Sequence, residues 1–508
     1  MAKYTNGENY RRIGMGKRVE LQHVIFAVIF LLFVMVNGQP VSDTDFWWHL
    51  KAGEYIWQTK TVPHADVFSY TMSDKPWTAH EWLAEVIYYL AYSLGNFRGL
   101  FVLNLLLLAL TYYFYYQLLQ LRTGKNSILS ALLMLAGAFF TYFFWGFRPH
   151  MFLHLLFVIF FYVMECFYRN RDYLWILPLL MIAWVNLHGS FIMGPVIIGL
   201  YLISGIFAIQ LPTLVNRLWT PAQKRKLLAV LLMSFLATLI NPNSYHMLFY
   251  PLQTVNSDFI VNQINEWASP DFHEPYFMVY LGYVLAGFAL MGLGKRKHRA
   301  VDLLLVGTFF LMSLYAVRHI ALFVYGAGPV FGYYLAALLP KNSLYKHEHI
   351  FNGVLTVKHF INGALTVGAL TTAFLVWPPE VPLEKHVEAQ VLPVGAVNYM
   401  KQHRLYGKVL NDYNWGGYIL WTLYPDVRVM IDGRTDLYAA KVFPDYLKIA
   451  NLLPQTPQLL QKYYPDAIII REGTSLDAYL SNYRHWQKVY ADETAVIYTP
   501  VVKGRHGT

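Results

Sequence analysis

Over the first 378 residues, long apolar blocks alternate with shorter polar connections. A helix needs roughly 20 apolar residues to cross the hydrocarbon of a bilayer. By that measure spans are predicted near 20–38, 99–121, 126–145, 151–168, 173–189, 192–212, 226–241, 276–294, 301–317, 320–339 and 359–377, eleven in all. The first is short and follows Lys17 and Arg18, as a signal peptide would. Pro40 and an acidic pair come directly after it, however, and the alternation of the later loops needs it as a span. The connection 39–98 is too long to be a simple loop. Its last part, "PWTAHEWLAEVIYYLAYSLGN", repeats apolar residues at helical spacing (Trp82, Val86, Tyr89, Leu90), which predicts a helix lying along the membrane surface.

Beyond the last span the pattern changes. The proline-rich stretch 379–391 reads as a linker. In 392–508, strand-like runs at 407–411, 427–431, 466–470, 486–491 and 494–499 alternate with helical patterns at 394–404, 439–451, 456–463 and 474–483. The fold class expected is an α-helical polytopic membrane domain over 1–378, followed by a C-terminal α/β domain.

Composition agrees: 56% of the residues are hydrophobic and only 14% charged, against about a quarter charged in ordinary soluble domains. The net charge of +10 does not point to nucleic acid, because the basic residues cluster at span ends, where they set orientation. With the loops alternated, twenty Lys and Arg fall on one side: Lys3, Arg11, Arg12, Lys17, Arg18, Arg122, Lys125, Arg169, Arg171, Arg217, Lys224, Arg225, Lys226, Lys295, Arg296, Lys297, Arg299, Lys341, Lys346 and Lys358. Six fall on the other before residue 380: Lys51, Lys60, Lys75, Arg98, Arg148 and Arg318. The positive-inside bias then makes the protein a multi-pass plasma-membrane protein with a cytoplasmic N-terminus, an outer loop at 39–98 and an extracytoplasmic C-terminal domain. The single cysteine, Cys166, excludes an internal disulfide.

The polar residues at span ends are unevenly shared. The expected outer ends carry Asp43, Asp45, His49, His80, Glu81, Arg148, His150, Asn186, His188, Asn241, His246, Asn265, Glu266, Arg318 and His319. Ionisable groups are costly near a bilayer and mark substrate paths when they converge. A carboxylate serves as general base toward a hydroxyl, or as a hard oxygen ligand. An isolated arginine grips phosphate with its planar fork. A base and a phosphate grip at the outer surface predict glycosyl transfer from a lipid-linked phosphosugar. No P-loop, GxGxxG or zinc spacing argues for another chemistry.

The segments "DTDFWWHLKAGEYI", "PHADVFSYT", "HEWLAEVIYY", "FRPHMF", "NLHGSF", "AVRHIALF" and "IDGRTDLY" carry a resemblance. With an acidic pair just after span one, many further spans and a C-terminal α/β domain, the chain resembles the GT-C superfamily of integral membrane glycosyltransferases, in particular its bacterial branch akin to polyprenyl-phosphate-mannose mannosyltransferases. The resemblance implies a polyprenyl-phosphate sugar donor, inversion at the anomeric carbon and a catalytic aspartate in the first outer loop, here Asp43 or Asp45. Other branches carry a further acid in the second outer loop. Here that loop, "WGFRPHMF", holds Arg148 and His150 instead.

Each residue also has a plainer reading. Asp43 and Asp45 stand where an N-cap of a helix beginning at Phe46 would be; as a pair they are also candidate ligands for Mg²⁺ or Mn²⁺, with Glu81 or the donor phosphate needed to complete the shell. Arg148 and Arg318 are the candidate phosphate clamp, against interfacial snorkelling. His150, His188 and His319 are candidates to orient the phosphate. His80 and Glu81 are placed on the acceptor side, with a solvated helix face as the alternative. Trp47 and Trp48 read as interface anchors. The acceptor class (glycan, protein or lipid) is open. A flippase of lipid-linked sugars, or an assembly factor anchored by its spans, is the alternative to the enzyme.

Overall fold

The computed structural model describes residues 19–206, 211–255, 264–294, 296–339, 352–378 and 383–501. Several expectations lie outside the described residues: the basic groups Lys3, Arg11, Arg12, Lys17, Arg18, Lys295, Lys341 and Lys346, part of the span predicted at 192–212, and the start of the linker.

The apolar blocks form helices: α1 (Leu21–Asn37), α2 (Phe46–Thr59), α3 (Trp82–Thr123), α4 (Ser127–Thr141), α5 (His150–Tyr168), α6 (Ile176–Leu187), α7 (Met193–Ser204), α8 (Pro221–Ala237), α9 (His246–Val255), α10 (Pro275–Leu293), α11 (Ala300–Tyr315), α12 (Ile320–Leu338) and α13 (Asn352–Leu375). Among the described residues five helices are long and apolar enough to cross a membrane: Trp82–Thr123, Ser127–Phe144, His150–Tyr168, Pro275–Leu293 and Val317–Leu338. Five shorter apolar helices match further predicted spans, at Leu21–Asn37, Ile176–Leu187, Gly189–Ser204, Ala300–Tyr315 and His359–Leu375. The remaining predicted span, 226–241, falls on α8, whose first turns carry Lys224, Arg225 and Lys226.

The amphipathic segment of the first loop and the following span are one 42-residue helix. Its backbone breaks at Gly95 and Asn96, whose dihedrals leave the helical region. The part before the break covers the amphipathic segment, and the part after it covers the predicted span. Helix α12 is the core of the bundle, buried along most of its length. Apolar lipid offers little drive for helices to associate, so close packing must supply it. Gly328 shows how: a Cβ there would stand 2.3 Å from the Tyr115 hydroxyl on α3.

After the bundle come α14 (Val394–His403), α15 (Gly416–Leu423), α16 (Val442–Ala450), α17 (Thr456–Tyr463) and α18 (Ser475–Asn482). They surround strands β1 (Gly407–Asn411), β2 (Val427–Val429), β3 (Ala467–Arg471), β4 (Trp486–Ala491) and β5 (Ala495–Pro500). The sheet order is β2-β1-β3-β5-β4. The first three strands are parallel, and β5 runs antiparallel to both β3 and β4. The buried runs of β1 and β3 explain the parallel half, since strands covered on both faces are apolar throughout.

The α/β part rests directly on the first loop. The Tyr70 amide donates to the Val429 carbonyl at 3.1 Å, so the loop adds a backbone contact to the open edge of β2. Trp47 is fully buried with its ring edge-on to Tyr418 of α15, at 5.0 Å between centroids. Trp48 is buried as well. The tryptophans expected as interface anchors are thus core residues joining the two parts. Beneath them the Arg434 guanidinium pairs with Asp432 and Asp66, both at 2.7 Å, and all three are buried. "IDGRTDLY" therefore does structural work.

Candidate active site

The loop between α1 and α2 brings Asp43 and Asp45 to one end of the bundle. The Asp43 carboxylate accepts from the Asp45 amide at 3.0 Å. Asp45 occupies the N-cap position of α2, yet its side chain makes no capping bond. The acid that could have been spent on the helix end is thus left for other work.

The loop between α4 and α5 brings Arg148 against this pair. Its backbone is held from α3: the Tyr88 hydroxyl donates to the Arg148 carbonyl at 3.0 Å, and Asn104 Nδ2 to the Gly146 carbonyl at 2.7 Å. The guanidinium donates to Asp43 through Nε at 2.5 Å and Nη2 at 2.6 Å. Nη1 faces Asp45 Oδ2 at 3.2 Å and Glu266 Oε1 at 3.3 Å. All three nitrogens are engaged with carboxylates, so in this arrangement Arg148 is not the open phosphate fork that its sequence position suggested.

Burial raises both aspartates, and Arg148 divides them. Against burial, the two-pronged guanidinium contact holds Asp43 below the usual carboxylate range. Asp45 has one longer contact and the neighbouring Asp43 charge, so burial prevails and it is raised. Gly433, in the turn after β2, packs on this acid: a Cβ there would lie 2.0 Å from Asp45 Oδ1 and 2.6 Å from Trp48 Nε1. A side chain there would push the Asp45 carboxylate aside.

A second group centres on Glu81, at the start of α3. Its carboxylate faces His188 Nε2 at 3.3 Å, His80 Nε2 at 3.5 Å and His49 Nε2 at 3.7 Å. His49 also contacts Glu85 at 3.0 Å. Burial opposes charge on His80, but Glu81 overrides it and raises the imidazole to about 9. Burial likewise opposes charge on Glu81, and the neighbouring histidines hold it far below its ordinary value. His80 stacks on Tyr250 of α9, at 4.2 Å between centroids. The solvated helix face is therefore not what these two residues form.

Asp43, Asp45, Glu81, Arg148, His150, His188, Glu266 and Arg318 line one cavity of about 290 Å³. A second, mainly apolar cavity of about 220 Å³ is lined by Leu153, Ile192, Met193, Tyr250, Met312 and Leu322, and shares Glu81, His188 and Arg318 with the first. His80 and His319 line only the second. His150 and His319 are tied to backbone carbonyls, of Phe144 at 2.6 Å and Met312 at 3.0 Å. Arg318 lies over Trp267 at 4.6 Å and, among the described residues, pairs with no carboxylate. It is the available cation at the junction of the two cavities.

This constellation fits a fold already seen elsewhere. The oligosaccharyltransferase of Archaeoglobus fulgidus, in its apo form, superposes with a TM-score of 0.56 at 10% identity, over 89% of this chain and 69% of that one. The same archaeal enzyme in complex with an inhibitory peptide and a dolichol-phosphate gives 0.54 at 9% identity over the same shares. ArnT from Cupriavidus metallidurans, bound to undecaprenyl phosphate, gives 0.50 at 12% identity, over 95% of this chain and 98% of that one. The fold is shared with these membrane-enzyme structures. At these identities the likeness speaks for architecture alone. No protein-family model matches the chain, and no curated protein matches its sequence.

The pair expected to ligate Mg²⁺ or Mn²⁺ does not fit a metal as it stands. Asp43 has both oxygens on Arg148, Glu81 is surrounded by imidazoles, and among the described residues no three His, Cys, Asp or Glu are spaced to hold a metal ion. Sequence reasoning gave no role to Glu266 and Gly433. Glu266 had one signal, an acid in an outer loop without Lys or Arg. Gly433 had none, because its significance is a contact made across nearly 400 residues of chain.

Proposed function

We propose that this protein is an inverting glycosyltransferase that moves a sugar from a polyprenyl-phosphate donor to an acceptor hydroxyl at the outer face of the membrane. The observation that carries the reading is the shared cavity: carboxylates, a basic group and an apolar annex meet at one end of a GT-C-like bundle. Asp45 takes the proton of the acceptor hydroxyl, because it is the less firmly held carboxylate and the more basic. The acceptor oxygen attacks the anomeric carbon opposite the phosphate. The bond from that carbon to the phosphate oxygen breaks, and its electron pair leaves with the lipid phosphate. Arg318 faces the charge that grows there, with His188 beside it. The apolar cavity beyond Arg318 suits the first isoprene units of the donor. Asp43 and Arg148 position Asp45, and Glu81 with His80 borders the acceptor.

The test is transfer in membranes supplied with a panel of polyprenyl-phosphate sugars, comparing wild type with Asp45→Asn, Asp43→Asn and Arg318→Met. Loss in Asp45→Asn and Arg318→Met with at least one donor supports the reading; transfer at the wild-type rate in Asp45→Asn refutes the base.

A further inference from the structure

We propose that Asp43, Asp45 and Glu266 form a cation seat that the chain fills with its own guanidinium, Arg148 standing where a divalent metal would otherwise bind. The proposal extends the reading of this site, but it is tested by binding alone, so its failure and the failure of that reading are separable.

Three carboxylates from two distant segments converge on one point, at 2.5 to 3.3 Å from the nitrogens of a single side chain. With all three ionised, their charge of −3 is met by +1. Carboxylates crowded this way repel one another and drive one of their number to take up a proton, unless a cation lies between them. Hard divalent cations are the usual solution, held at 2.0 to 2.6 Å by about six or more oxygen ligands. Here the position between the acids is already taken. Arg148's own contacts to the three acids hold the guanidinium there, and Tyr88 and Asn104 fix the backbone of the loop that presents it. Its bidentate contact commits both oxygens of Asp43, which a metal would need.

The exchange has a chemical consequence. A metal between these acids would present vacant positions to a phosphate oxygen and act on it as a Lewis acid. A guanidinium whose nitrogens all face carboxylates presents none. Arg148 is thus a positioning residue. It keeps Asp43 charged, brings Asp45 to the cavity by a single longer contact, and leaves the phosphate to Arg318.

The experiment is Mn²⁺ titration of the purified, detergent-solubilised full chain, followed by the spectrum of free Mn²⁺. Wild type should take up no Mn²⁺ that is lost in Asp43→Asn/Asp45→Asn. Arg148→Ala and Arg148→Gln vacate the seat and should each gain roughly one Mn²⁺ per chain, lost again when Asp43→Asn/Asp45→Asn is added. Wild-type uptake that depends on Asp43 and Asp45 overturns the proposal. So does a failure of folded Arg148→Gln to bind, since the acids would then be no cation seat. If both Arg148 variants misfold, the wild-type titration still decides: uptake dependent on the aspartates refutes, and its absence supports.

Discussion

Two ion clusters stand at opposite ends of the bundle and are built from the same side chains, with opposite hydration. At the cavity end, Arg148, Asp43, Asp45 and Glu266 keep 22%, 26%, 29% and 49% of their side-chain surface exposed. At the far end, Glu165 of α5 accepts both prongs of Arg299 at 3.1 Å, and Arg122 donates to Glu165 at 3.5 Å and to Asp302. There Arg122, Glu165, Asp302 and Arg299 are at most 9% exposed. Water reaches the first set and not these four, whose one route to solvent among the described residues is Arg169, 38% exposed and 3.0 Å from Glu165. A wet cluster can exchange partners with a substrate, whereas a dry one can only hold helices together, and breaking it leaves a bare charge in a poor solvent. The sequence placed Arg122 and Arg299 at span ends; their burial shows that charge position along a chain does not report hydration.

This contrast predicts a division of labour between function and stability. The largest effect expected is for Asp45→Asn, which should cut transfer by about 10³-fold or more, with the melting temperature kept, since a positioned general base contributes roughly 10²–10⁴. Glu165→Gln should do the reverse, costing about 3–5 kcal/mol of stability in thermal or denaturant unfolding, because two buried guanidiniums lose their shared partner, with little change in transfer per folded molecule. If Glu165→Gln folds as well as wild type, or Asp45→Asn destabilises as much as it inactivates, the two ends are not different in kind. Arg318→Met should lower kcat by roughly 10²-fold, the scale for removing one donor to developing charge.

Smaller effects test how the site is tuned. Gly433→Ala should press on Asp45, lowering transfer by roughly tenfold, about 1.4 kcal/mol in the barrier, and moving the acid limb of the pH–rate profile. That limb should lie above the ordinary aspartate value of 3.8, because Asp45 is raised, with activity lost as pH falls through it. The His80–Glu81 pair has its own signature. An imidazole raised to about 9 contributes stability that is fully present below its ordinary 6.5 and is lost as pH rises through 9. His80→Gln should flatten this alkaline loss in a melting-temperature series.

Much of the architecture was legible because it rests on pattern. Strands β1, β4 and β5 and helices α14, α16, α17 and α18 lie within a few residues of where periodicity placed them, and the predicted surface helix before Gly95 is the first limb of α3. The site was legible as a set of residue types on one side of the chain. Its partnerships were not, because they depend on distance in space: Arg148 could be recognised as a lone arginine beside a span, but not as one already claimed by three acids. Trp47 was misread for the same reason. An aromatic residue next to a span is equally consistent with a lipid headgroup and with Tyr418, some 370 residues along the chain.

The contact between the first loop and the edge of β2 has a temporal consequence. Tyr70 and Val429 are joined by backbone, and Gly433 follows within four residues. As the chain emerges from the ribosome, every acid and arginine of the site is made long before its cover. A nascent chain halted ahead of residue 427 would hold the full set of charged groups yet stand open on one side until the remaining segment arrives to close it.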